Sequence, residues 1–488
     1  MEDNSRLLII PDVPEEEAKS ADYSVRINGQ EMICQVARVS AFPFNSAAQR
    51  QRPIDQTELA SFVVFEMGEP VDVEIIARRA FSNAVLRPIS KKIPLTIAGN
   101  TIRFTIHRPG QYSLELDGRS KNLTIFANPI KAFALGSDTL YFGPGIHFAD
   151  VLELHSGQTL YIDRDAVVYA KGVYAVDCEN IRIVGYGILD LTPYERTWPY
   201  FPHFLTGDGG NVLFKRCNNV RVDGVILRNP AWWSITSVNC TNLHFDNVKL
   251  IGLWRYNTDG MDFANCQNVK VTNCFIRSFD DSIAIKGMYL IVDGKLYERY
   301  DHMSVQNILI ENCVVWCDWG GALEIGAETM ADEYANIVYR NCDVIHCDQS
   351  PVRIHSTGRA EIHDVIYEDI RAEYSKYDTN PVLQTSEDQV YVPDGEPYVG
   401  AIIRAFMYWS SGLPDEPKYK TIHDITYRNI QIIKDDECPM PVIGFHGAEE
   451  NHGFYNILID GLYCNGKRLT EETASWHEAI FVSNLEFR

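Results

Sequence analysis

Three aspartates concentrate the chemistry of this sequence. The segment Trp254-Arg255-Tyr256-Asn257-Thr258-Asp259-Gly260-Met261-Asp262 is followed by Ser278-Phe279-Asp280-Asp281-Ser282-Ile283-Ala284-Ile285-Lys286, and Asp259 and Asp281 stand 22 residues apart. Carboxyl groups gathered on one surface repel each other, so at least one holds its proton near neutral pH. Cleavage of a glycosidic bond needs that combination: an acid to protonate the leaving oxygen and a carboxylate to deprotonate the attacking water. An isolated Asp-Gly or Asp-Asp more often caps a turn or binds calcium, so the reading depends on the chain bringing all three to one face. Strand alternation sends Asp262 the other way, into a structural role.

The elements that would do so are repeats. Asn followed by aliphatic-x-aliphatic recurs at Asn180-Ile181-Arg182-Ile183, Asn219-Val220-Arg221-Val222, Asn242-Leu243-His244-Phe245, Asn268-Val269-Lys270-Val271, Asn307-Ile308-Leu309-Ile310 and Asn336-Ile337-Val338-Tyr339. Asp364, Asp424 and Asn456 open degenerate copies. The shortest separations, 23 (219 to 242) and 26 (242 to 268), with β-rich segments and no helical period, mark a β-solenoid. Asn suits its tight bends, where left-handed backbone angles are tolerated. One coil of such a solenoid is close to 22 residues, which stacks Asp281 on Asp259. Cys178, Cys217, Cys240 and Cys266 each precede a repeat Asn by two residues, which predicts a ladder of buried thiols rather than a disulfide framework. Zinc at Cys313/Cys317 and Cys342/Cys347 is the weaker alternative.

From about Tyr23 to Asn128 the pattern differs. Short alternating runs such as Val71-Asp72-Val73-Glu74-Ile75-Ile76 and Ile102-Arg103-Phe104-Thr105-Ile106 are separated by Gly99-Asn100, Pro109-Gly110 and Asp117-Gly118, as in an antiparallel β-sandwich. The expected fold is therefore all-β: a small antiparallel sandwich over residues 1–130 ahead of a right-handed parallel β-helix over 131–488. The 44 basic and 66 acidic side chains give a formal charge of −22, which repels nucleic acid and anionic lipid. The acidic start, Met1-Glu2-Asp3-Asn4-Ser5-Arg6, and the short apolar run ending at Pro11 do not form a signal-peptide core, so a cytoplasmic location is expected.

At the aspartates the sequence resembles the polygalacturonase family of glycoside hydrolases, family 28, a parallel β-helix family. Its Asn-Thr-Asp-Gly-x-Asp motif is matched by Asn257 to Asp262, and its Asp-Asp motif by Asp280-Asp281 with the continuation Ile283-Ala284-Ile285-Lys286. The resemblance implies an inverting hydrolase with Asp280 as general acid, Asp259 and Asp281 activating water, and no cofactor. Two departures stand out. No histidine occurs in Trp319-Gly320-Gly321-Ala322-Leu323-Glu324-Ile325-Gly326, where the family has Gly-His-Gly, and the family's Arg-Ile-Lys reads Arg353-Ile354-His355. A sandwich ahead of a β-helix is also similar to the dextranase and isopullulanase family, family 49, whose substrates are α-glucans.

The expectation is thus an exo-acting glycosidase of α-linked oligosaccharides, with Asn257, Lys286, Arg353, His355, Trp254 and Trp319 as substrate-binding residues. The alternatives are a β-helical lyase or uronate epimerase, or a non-catalytic carbohydrate-binding solenoid. The insertion from about Tyr374 to Pro417 is read as a wall of the cleft, a surface loop or an oligomer contact.

Overall fold

The computed structural model describes residues 7–42, 57–196, 205, 207, 209–292, 295–299, 303–379, 397–408 and 420–488. Among them, one continuous ladder of 31 strands begins at Thr139–Phe142 and runs to the C-terminus. Its coil-to-coil pairings are parallel, as a β-helix requires, and each coil supplies up to three short strands. One coil consists of Met261–Ala264, Gln267–Thr272 and Phe275–Ser278. The next consists of Ile283–Gly287, Val305–Glu311 and Val314–Cys317, and the one after it of Gly321–Thr329, Glu333–Arg340 and Asp343–Cys347.

The repeat sets this register. Ile181 pairs with Val220, then Leu243, Val269, Ile308, Ile337 and Val365, one residue per coil, and the whole column is buried in the interior. The Asn that opens each copy turns the corner at positive φ: 59° at Asn180, 58° at Asn219, 59° at Asn242, 56° at Asn268 and 60° at Asn307. Asn tolerates that region because its side chain hydrogen-bonds locally. Here the amides also bond from coil to coil: Asn219 donates to Asn180 (2.6 Å), Asn268 to Asn242 (3.1 Å) and Asn307 to Asn268 (3.0 Å). Cys217, Cys240 and Cys266 form a buried thiol column beside them, and all twelve cysteines are unbridged.

Two mainly antiparallel sheets precede the helix. One joins Tyr23–Ile27, Gln30–Met32, Val71–Ala77, Thr96–Ala98 and Thr101–Ile106; the other is centred on Thr57–Met67, Gly110–Leu116 and Leu123–Pro129. They enclose a core of Val25, Ile75, Phe65, Ile102 and Leu114. The outer face of the second sheet is apolar too, and Ala37, Phe62, Val64 and Phe126 pack on Ile226, Ile251, Phe275, Val314 and Trp316, the outward residues of the third strands of successive coils. The sandwich is therefore docked on one side of the helix, next to the corner where each third strand turns into the first strand of the next coil.

Candidate active site

Asp259, Asp280 and Asp281 occupy that corner. Met261 pairs with Ile283 and Phe263 with Ile285, a constant offset of 22, and the same offset continued back along the chain sets Asp259 beside Asp281. The backbone holds it there: Gly260 N–H donates to the Asp281 carbonyl (2.8 Å), and Ser234 donates to the Asp259 carbonyl through both N–H (2.9 Å) and Oγ (2.6 Å). Asn257, at φ 57°, makes the left-handed step that turns the chain into this position.

The outward face of the first-strand sheet completes the site. Along one row, Asp262, Ala284, Glu324, Arg353 and Arg404 are in register, and along the next His355 pairs with Phe406. Lys286 Nζ donates to Asp259 Oδ2 at 3.0 Å and lies 3.2 Å from Asp262, 3.4 Å from Glu328 and 3.7 Å from Asp281. Asp262 thus does not turn away from the site, as strand alternation suggested. The Lys286 stem comes from the adjoining coil and carries its ammonium between Asp262 and Asp259. Arg353 Nη1 is 3.3 Å from Glu324 and 3.8 Å from Asp281, and its Nη2 donates to His355 Nδ1 (3.1 Å).

Electrostatics separate the acids. Burial pushes the Asp280 carboxyl far above the usual carboxylate range, and the neighbouring Asp259 and Asp281 push it further. Its Oδ1 accepts only the N–H of Asp281 (3.1 Å) among the described residues. Asp281 is buried as well, but Lys286, Arg353 and the Gly321 N–H (2.9 Å) hold it below the ordinary value. Asp259 is pushed by burial, against the pull of Lys286, up to about 7. Burial drives the Asp262 carboxyl well up, whereas Lys286 stays charged because Asp259, Glu328 and Asp262 outweigh its own desolvation. The site therefore presents a proton-bearing carboxyl, Asp280, beside an ionised one, Asp281, and a third, Asp259, that titrates near neutrality.

The other sequence-predicted residues divide. His355 borders the cleft with its ring 4.1 Å from Phe406 and 5.7 Å from Tyr408, and burial together with Arg353 lowers its pKa to about 3, so it is neutral. Trp319 is half-buried, stacked on Phe279 (6.0 Å, 7°) and edge-on to Tyr256. Trp254 is a correction: it is 4% exposed and the Arg255 guanidinium covers its ring at 4.3 Å, so no sugar face is available. Trp233, which covers the Lys286 ammonium at 3.9 Å, and the buried Glu324 were not foreseen. The missing Gly-His-Gly histidine has a steric counterpart: a Cβ at Gly321 would lie 2.1 Å from Glu324 Oε2, and one at Gly320 2.6 Å from Asp281 Oδ1. Most of the insertion near 374–417 lies outside the described residues.

Comparison with known proteins finds its matches over the same part of the chain. Residues 209–396, which include all three aspartates and Arg353, match the family described as Glycosyl hydrolases family 28. An Aspergillus niger protein provisionally named galacturan 1,4-alpha-galacturonidase C is 22% identical over 270 residues, 53% of this chain and 51% of the relative. A polygalacturonase of Brassica napus is 25% identical over 261 residues, 51% of this chain and 54% of the relative. The chain thus spans about half the length of the curated relatives it matches. The solved structure of Dex49A from Penicillium minioluteum is similar across 98% of this chain and 90% of that one, with a TM-score of 0.56 at 15% identity, a likeness of fold. From the Asn ladder, the stacked aspartates and these matches together, the chain carries a parallel β-helix that resembles glycosyl hydrolases family 28 over residues 209–396.

Proposed function

We propose that this protein is an inverting glycoside hydrolase that cleaves α-linked O-glycosidic bonds, with Asp280 as general acid and Asp259 and Asp281 as the bases that activate water. The observation that carries the reading is one corner of the helix holding a buried, proton-bearing Asp280 next to an ionised Asp281. Single displacement needs those two states at once, on groups that do not exchange roles.

The names of the relatives make galacturonan the first substrate to try, with attack from the chain end as in a galacturonidase. Where the family has a lysine, this chain has the neutral His355, and Arg353 is already engaged by Glu324, Asp281 and His355. The substrate panel therefore sets trigalacturonate against neutral α-galactosides and α-glucans. The expected result is release of a monosaccharide whose anomeric configuration, followed by NMR, is inverted. Asp280→Asn should lower kcat by about 10²–10⁴-fold with unchanged folding. Retention of configuration, an unsaturated product, or an undiminished Asp280→Asn variant would overturn the assignment.

A further inference from the structure

We propose that Glu324 is a positioning residue for the base: its buried carboxyl donates a hydrogen bond to Asp281 and, clamped by Arg353, keeps that side chain ionised and aimed at the cleft. The inference rests on the hydrolase reading above and adds to it a residue with no counterpart among the three aspartates.

The geometry is closed on every side. Glu324 projects outward from Gly321–Thr329, in register between Ala284 on the coil before and Arg353 on the coil after, yet its side chain is wholly buried. Oε2 is 3.3 Å from Arg353 Nη1, the same nitrogen that lies 3.8 Å from Asp281 Oδ1. Gly321 donates its N–H to that Asp281 oxygen at 2.9 Å, and its missing side chain leaves the space that the Glu324 carboxyl enters. The two carboxyl groups approach each other across this glycine, placed so that one can donate to the other once either carries a proton.

Two acids in contact in a water-poor site do not both ionise; they hold one proton between them. The surroundings decide where it stays. Asp281 faces Lys286, Arg353 and the Gly321 N–H, which favour its anion, against Asp259, Asp280 and the Cys317 thiol. Glu324 faces Arg353, more distantly Lys286, and the uncharged His355, whose Nδ1 is 3.9 Å away. Burial raises Glu324 well above the ordinary range, so the proton sits on Glu324 and the negative charge on Asp281. A neutral carboxylic acid used as a fixed hydrogen-bond donor is an established device in enzyme sites.

The test compares Glu324→Gln, which keeps a neutral donor, with Glu324→Leu, which removes it. Thermal unfolding verifies folding of each, and kcat/KM is followed against pH on the substrate that the wild type turns over. In the Asp259→Asn background, where the remaining acidic limb is that of Asp281, Glu324→Leu should move this limb up by about one pH unit and lower kcat about tenfold, with KM little changed. In the same background Glu324→Gln should leave the limb in place and stay within about threefold of the Asp259→Asn parent. Equal damage from both variants, or an unmoved limb in Glu324→Leu, would overturn the proposal. The pairing is also read without turnover: an infrared difference spectrum at neutral pH should show a protonated carboxyl in the wild type that Glu324→Gln lacks. If that band is absent from the difference, the proposal fails, whereas a wild type that shows the band but hydrolyses nothing refutes only the assigned activity.

Discussion

The Lys286 ammonium lies 3.0 Å from Oδ2 of Asp259, its neighbour from the preceding coil, and from there it also serves Asp262, Asp281 and Glu328. One buried cation compensates four carboxyl groups, and its removal leaves charge in a site with little water. Lys286→Met should therefore cost about 3–5 kcal/mol of stability at neutral pH. The sign of its pH dependence follows from the carboxyls. Their folded-state pKa values, already raised at Asp259 and Asp262, rise further without the cation. A raised folded value means the native state binds protons more tightly than the unfolded chain, so stability is present at acid pH and is lost as pH rises through the folded pKa. Melting curves should show the deficit of the variant growing from about pH 4 to about pH 8. A deficit that shrinks over that range would show that Lys286 is not the counter-ion.

The same set of charges fixes the activity profile. In the proposed reaction Asp280 enters protonated, and burial gives it a pKa far above the usual range, which would supply the basic limb. Asp259 titrates at about 7 and in its proposed role as a base has to be ionised, which would supply the acidic limb. Because these groups lie together, the limbs belong to the coupled set. Asp259→Asn should remove the limb near neutrality and leave a slower enzyme whose remaining acidic limb, governed by Asp281, lies at lower pH. The measurement is kcat/KM across the pH range for both proteins; an unmoved limb would assign it to another group.

Much of this arrangement is legible in the sequence because a solenoid converts sequence separation directly into height. The spacing of Asp259 and Asp281 equals the pairing offset of Met261 and Ile283, and each repeat Asn marks a corner that the backbone does turn. The rule fails where a coil is interrupted. Lys286 and Glu328 are 42 residues apart yet form an ion pair, because an insertion between Gly287 and Val305 lengthens the coil and hides the period. Side-chain length defeats alternation at Asp262, since a lysine stem spans more than one strand position. Trp254 lies against the sandwich as well as beneath Arg255: the Ser40 Oγ donates to its carbonyl (3.4 Å), a contact no local pattern contains.

Gly321 tests how tightly Asp281 is held. Its N–H binds Asp281 Oδ1, while a methyl group added to it would press on Glu324 Oε2 at 2.1 Å and on Arg353 Cδ at 2.9 Å. Both neighbours are buried and pinned by each other, so neither has an easy retreat. Gly321→Ala should lower kcat by about tenfold or more through displacement of Arg353 and Glu324, with a stability loss of about 1–3 kcal/mol from overpacking. Steady-state kinetics alongside thermal unfolding separates the two effects, and wild-type kcat in a folded variant would contradict the packing argument.

The sandwich should prove inseparable from the helix, because charges of both bury together between them. Arg87 of the sandwich donates to Glu115 (2.9 Å) within its own domain and reaches Glu373 of the helix, while His346 of the helix is 2.8 Å from Glu115 and 3.2 Å from Asp378. Burial alone would raise the Glu115 carboxyl, but Arg87 and His346 bring it down to about 2. A depressed folded value contributes stability above the ordinary glutamate pKa of about 4.3. That contribution disappears as pH falls toward 2. Arg87→Met leaves Glu115 and Glu373 without their shared cation and should cost about 3–5 kcal/mol near neutrality. As the pH falls and these carboxyls take up protons, the difference from wild type should narrow. Chemical denaturation of both proteins at neutral and acid pH measures it, and a variant as stable as wild type at neutral pH would show that apolar packing around Phe62, Phe126 and Trp316 holds the domains together without the charges.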